Sequence, residues 1–281
     1  MEKRILTEKH LQDFKDSLYR EEKSAATTEK YLRDARAFMI FTSDQEITKE
    51  IVISFKTGLI QKGYATGSIN SILASINSLL NFLGWGECKT KNLRMQRAAY
   101  CPEEKELTKA EYKRLLDAAK GNQQLCLVMQ TICSTGIRVS ELQYFTVESV
   151  RRSEVTIHCK SKTRTILVPG QLKKLLLSFA EKRRIKSGVI FITRTGRPLN
   201  RSNIWAQMKK LCQKAGVQAS KVFPHNLRKL FARTFYALEK DIAKLADILG
   251  HSSVNTTRIY IMSTGIEHRR KIENLGLVLR I

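Results

Sequence analysis

Residues 224–260 read PHNLRKLFARTFYALEKDIAKLADILGHSSVNTTRIY, and most of the chain's reactive side chains in meaningful spacing fall inside them. Apolar residues at helical intervals predict helices over about 225–238 and 241–249. His225 and Arg228 stand three apart, so one helical face carries both and could grip one anion. His251 follows Gly250 at a turn between helices, and Tyr260 comes nine residues later. Singly, each residue has an ordinary explanation. An HxxR pair is usually structural, a lone turn histidine is usually a satisfied polar group, and a lone tyrosine is usually a core or rim aromatic.

Moving outward, STGIRVSEL at 134–142 places Arg138 just past Gly136 at a predicted helix start. A forked donor beside free helix N-terminal amides suits a phosphate. A plain surface arginine is the commoner meaning of such a residue in a basic domain. Glu141 stands one turn later and either orients Arg138 or makes an ordinary surface ion pair. EVTIHC (154–159), KSKT (160–163) and RTILVP (164–169) predict a hairpin around a short basic turn. Lys160, Lys162 and Arg164 alternate along it and are expected to point the same way. VIFI at 189–192 predicts a third short strand. Further helices are expected over about 108–119, capped by Thr108 with Glu111, over 122–134, from near Arg138, and over 170–186, 201–215 and 264–275. The second domain, 106–281, is therefore expected to be helical with a small sheet.

Residues 1–87 predict a four-helix domain with helices at about 7–21, 27–42, 48–62 and 66–84. The second would be capped by Thr27 or Thr28. Residues 88–105 lose periodicity and carry charge and Pro102, which marks a linker. Charge is uneven. Residues 1–105 hold 17 Lys and Arg against 14 Asp and Glu, whereas residues 106–281 hold 33 against 12. A net +21 on one domain calls for a polyanion, with nucleic acid ahead of an anionic membrane. No apolar run approaches the ~18 residues of a membrane span. MEKRILTEKH turns charged before a signal-peptide core could form. The six cysteines show no CxxC or zinc spacing, as expected of buried thiols in a soluble cytoplasmic protein. There is no Gly-rich phosphate loop, HExxH or GxSxG, and no carboxylate cluster of the kind a two-metal nuclease needs. Phosphodiester chemistry here would run on cations and a protein nucleophile, with no metal and no cofactor.

Taken together and in order, TGIRVSEL, the basic hairpin, PHNLR and LGHSSVNTTRIY resemble the tyrosine recombinases, also called the phage-integrase family. The first domain resembles that family's core-site-binding domain, with Thr27, Tyr31, Asp34 and Phe38 spaced as TxxxYxxDxxxF. The layout resembles that of compact Xer-like or small mobile-element integrases.

The resemblance implies a site-specific recombinase, mainly helical with a small sheet, that closes as a two-domain clamp on double-stranded DNA. It implies a homo-tetramer on two sites, host accessory DNA-bending factors, and a nucleoid-associated bacterial or phage protein without membrane contact. Tyr260 would be the nucleophile, forming a 3′-phosphotyrosine. Arg138 and Arg228 would clamp the phosphate, His251 would hydrogen-bond it, and His225 would handle the tyrosine proton. The leaving 5′-oxygen would be protonated by Lys160 or Lys162. Lys160 is preferred because it stands nearer the strand, although CKSKTR lacks the glycines of the family's GKGxKxR turn. The tail 264–281 would be an exchange helix that docks on a neighbouring protomer or, failing that, on its own domain. Two rival readings are a type IB topoisomerase, disfavoured by His225, and a non-catalytic DNA-binding descendant, disfavoured because every site residue is present.

Overall fold

The computed structural model describes residues 3–95, 100–159, 162–275 and 277, and the chain divides into two compact units, 1–97 and 98–281. In the first unit, four helices follow one another: α1 (Glu8–Arg20), α2 (Ala25–Thr42), α3 (Lys49–Gln61) and α4 (Thr66–Phe82). Their apolar stripes bury Leu11, Phe14, Leu18, Phe38, Val52, Leu73 and Ile76, each worth roughly 1.5–3 kcal/mol on burial. The second helix starts earlier than its threonines suggest, because Ser24 caps it by accepting from Thr27 N. Asp34, of the family-like stretch, is a buried tie between helices. It pairs with Lys30 at 2.9 Å and accepts from Ser75 of α4 at 2.9 Å. The expected linker begins, after Cys88, with residues outside helix and strand that are fastened to α4, where Asn77 bonds Thr90 and Asn70 bonds Leu93.

The second unit contains α5 (Lys109–Ala118), α6 (Gln123–Thr135), α7 (Val147–Arg151), the hairpin β1 (Glu154–Cys159) and β2 (Lys162–Leu167), α8 (Gly170–Lys182), α9 (Arg201–Lys210) and α10 (Cys212–Ala215). It closes with α11 (Pro224–Glu239), α12 (Ile242–Leu249), α13 (Val254–Ile261) and α14 (Gly265–Glu273). The two strands run antiparallel with Ile157 opposite Arg164 and Val155 opposite Ile166. Residue 160 and its neighbour 161 lie outside the described residues, so the expected acid Lys160 does too.

Three expectations give way. VIFI at 189–192 is not a strand but forms isolated bridges, Val189 to Thr146 and Ile192 to Pro198. The sheet thus has two strands among the described residues. The helix expected from Arg138 is a 3-10 segment, Val139–Tyr144, followed by short α7. The helix expected over 201–215 breaks at Leu211 into α9 and α10.

One helix, α13, is new. VNTTRIYI is rich in β-branched residues and has weak intrinsic helix preference. It is nevertheless capped by Ser253 and buries Thr257 and Tyr260 against α11 and α12.

The start of α14 packs on its own unit. Glu267 pairs with Arg233 at 2.6 Å, Cys101 N donates to Ser263 O, and the rings of Tyr100 and His268 lie 5.0 Å apart. Ile266, Ile272, Leu275 and Leu277 remain exposed.

Candidate active site

Two helix ends and one hairpin build the site. Helix α6 stops at Gly136, whose φ of +66° suits glycine; a Cβ there would lie 2.4 Å from the Phe231 ring. Helix α12 stops at Gly250, with φ +64°. The last carbonyls of a helix have no partner within it and carry the negative end of its dipole. Here they meet cations. Ile248 O accepts from Arg164 Nη1 at 2.5 Å, Leu249 O from Arg228 Nη2 at 2.7 Å, and Gly250 O from Arg138 Nη2 at 3.2 Å. Three successive carbonyls thus serve three arginines from three distant parts of the chain.

Arg228 is 1% exposed. Its Nη1 donates to Gly136 O at 2.5 Å, so it ties the end of α6 to that of α12. Burial, followed by the charge of Arg138, lowers its pKa to about 10, which leaves it protonated at neutral pH. Its Nε–H is buried with no partner. An orphaned buried donor costs about 1–3 kcal/mol, a cost that an arriving anion would remove. Arg138 caps the 3-10 segment. Its backbone N–H donates to Glu141 Oε2 at 2.6 Å and its Nη1 to Oε1 at 3.0 Å. Glu141 is 1% exposed and also pairs with Arg164 at 2.6 Å. It is therefore a buried orienting group for Arg138 rather than a surface ion-pair partner. Arg138 keeps 41% of its side chain exposed.

Tyr260 is buried on α13 between two histidine edges. The His225 ring lies 5.0 Å away at 65° and the His251 ring 4.8 Å away at 60°. The Arg228 guanidinium sits 5.8 Å from its ring centre. His225, at the first turn of α11, is exposed at the rim, yet loss of solvent and then the charges of Lys229 and Arg228 lower its pKa. Burial and then Arg228 lower that of His251 to about 4. Both rings are neutral at pH 7.

Arg138, Arg228, His225 and Tyr260 line one cavity of about 510 Å³, together with Trp205 and Arg201 of α9. Of the six residues expected at the site, five converge and Lys160 lies outside the described residues. Sequence reasoning missed Thr257, which holds His251 Nδ1 at 2.9 Å, and the inward role of Arg164. Thr257 stands six residues past His251 on a helix the periodicity does not announce. Among the described residues, no three His, Cys, Asp or Glu side chains gather where a metal could bind. No helix among them is long and apolar enough to cross a membrane.

Residues 105–265 match the phage integrase family, and residues 11–87 match the phage integrase N-terminal SAM-like domain. Tyrosine recombinase XerA of Pyrococcus furiosus is 27% identical, over 99% of this chain and 98% of its own. A crystal structure of XerA recombinase superposes with a TM-score of 0.54 at 24% identity, covering 96% of this chain and 99% of that one. A lambda integrase (75–356) dimer bound to a COC′ core site gives 0.76 at 17% identity, covering 92% and 96%.

Proposed function

The chain belongs to the phage integrase family and is a site-specific tyrosine recombinase, and on that footing we propose that Tyr260 cuts DNA within the Arg138, Arg228, His225 and His251 cluster. The observation that carries this reading is Arg228, a buried cation with an unpaired Nε–H beside the Tyr260 ring. A non-bridging phosphate oxygen supplies the missing acceptor. The exposed part of the Arg138 fork takes the other oxygen, so both arginines stabilise charge that builds in the transition state.

Tyr260 Oη attacks phosphorus as the P–O5′ bond breaks. The products are a 3′-phosphotyrosine and a 5′-oxygen that takes a proton from Lys160. The phenol passes its own proton to neutral His225 as it attacks. The new ester conserves the phosphodiester, so the reverse attack by a 5′-hydroxyl rejoins the strand without a cofactor or metal.

Residues 1–87 act as the core-site-binding domain, 88–105 as linker and 106–281 as the catalytic domain. The substrate is double-stranded DNA bearing specific sites, two of which are held by a homo-tetramer, with accessory DNA-bending factors where the site needs them. The protein works in the cytoplasm, at the nucleoid. The tail helix α14 exchanges between protomers through Ile266 and Ile272, which are exposed in the single chain.

The test is Tyr260→Phe on a nicked site. DNA affinity should stay within about threefold of the parent while covalent adduct disappears. An adduct formed by the Phe variant would remove Tyr260 from the chemistry.

A further inference from the structure

Arg164 reads in the sequence as the third cation of the basic hairpin, on the same side as Lys160 and Lys162. The fold turns it inward. It stands opposite Ile157 and two residues before Ile166, both buried, so it lies on the core side of the hairpin. Its side chain is 14% exposed. The fork spans two acceptors: Nη2 meets Glu141 Oε2 at 2.6 Å, and Nη1 meets Ile248 O at 2.5 Å. The stem runs past Gly250, where a Cβ would lie 2.8 Å from Arg164 Cδ.

Arg138 depends on these same groups. Its guanidinium is held by Glu141 on one side and by Gly250 O on the other. Arg164 holds the first directly. It fixes the second through Ile248 O, two residues earlier at the same helix end, and through its stem lying against Gly250. We propose that Arg164 is a positioning residue for strand cleavage. It locks Glu141 and the end of α12 so that the Arg138 fork is aimed before the phosphate arrives, and it does not itself touch DNA.

This inference rests on the reading that Arg138 grips the scissile phosphate. Two features give it detail beyond general stability. The first is geometric: one guanidinium reaches both acceptors in a fixed fork, whereas a lysine ammonium is a single point on a flexible stem. The second is the glycine of LGH. Besides its positive φ, Gly250 has to lack a Cβ because the Arg164 stem occupies that space.

The experiment is a double-mutant cycle on the full chain, read as the single-turnover cleavage rate at saturating DNA together with Kd. Arg164→Met should slow cleavage by about 10–100-fold with Kd changed less than about threefold, and Arg164→Lys should recover part of the rate. In an Arg138→Lys background, Arg164→Met should cost less than about threefold more, because the two act as a unit. Gly250→Ala, which displaces the same stem, should reproduce the slow cleavage and be non-additive with Arg164→Met. It and Arg164→Lys carry the test if Arg164→Met does not fold.

Losses that multiply in the double mutant would overturn the inference. So would an Arg164→Met defect confined to Kd, which would make Arg164 a direct DNA contact. If Arg138→Lys and Arg138→Ala cleave as fast as the parent, the reading of Arg138 falls first. A multiplicative cycle with Arg138 essential sinks the inference alone.

Discussion

Arg228 Nη2 and His251 Nε2 lie 3.0 Å apart, and only the arginine has a proton to give. His251 therefore accepts at Nε2, carries its proton at Nδ1 and donates it to Thr257 Oγ1. Burial first, and then the nearby charges of Arg228, Arg138 and Arg164, disfavour a charge on this ring and hold its pKa near 4.

Stability should follow from that shift with a definite sign. The ring binds a proton less readily in the folded chain, about 4 against an ordinary 6.5. Its contribution is complete above pH 6.5 and is lost as pH falls from 6.5 toward 4, because the unfolded chain then binds more protons. Melting temperature measured over that window should decline less steeply in His251→Gln than in the parent. Parallel curves would contradict a neutral His251.

DNA should reverse the preference. A phosphate oxygen that accepts from Arg228 Nε brings negative charge beside His251, which favours the imidazolium, and this ring can then donate to the same phosphate. Binding near pH 6 should take up protons, to a limit of about one per site at His251. Calorimetry in buffers of different ionisation enthalpy reads this directly, and His251→Gln should abolish the uptake.

Lys160 can be separated from Lys162 by leaving-group chemistry. A bridging 5′-sulfur departs without a proton, so Lys160→Ala should fail on ordinary DNA and regain cleavage to within about tenfold on the sulfur substrate. Lys162→Ala should lose little on either. Recovery confined to Lys162→Ala would move the acid to that residue.

Gly136 should tolerate no side chain. An added methyl meets the Phe231 ring at 2.4 Å on backbone at φ +66°. It would also shift the carbonyl that holds Arg228 Nη1. Gly136→Ala is expected to cost at least about 1–3 kcal/mol of unfolding free energy in denaturant titration, with cleavage impaired in what remains folded. A neutral substitution would mean that the end of α6 is looser than its geometry indicates.

The sequence carried the site better than it carried the elements around it. Arg138, His225, Arg228, His251 and Tyr260 could be named because their types and order are distinctive, and the structure gathers them around one ring and one cavity. What lay beyond reach depends on partners far along the chain. Arg228 meets Gly136 across 92 positions, and Arg164 meets Ile248 across 84. No local pattern announces either contact. Helix α13 escaped notice because its β-branched residues oppose helix formation until Thr257 and Tyr260 are buried. VIFI misled in the opposite direction. Ile190 and Phe191 are buried as a strand's residues would be, but only single bridges form at Val189 and Ile192.

The most direct measurement of the central claim is to trap the protein on a nicked DNA site, in excess EDTA and without nucleotide, and map the attachment by mass spectrometry after trypsin. The expected result is a nucleotide joined through a 3′-phosphate to Tyr260, within the peptide of residues 259–269. Attachment at any other residue, or an adduct that forms only with a divalent metal, would contradict it.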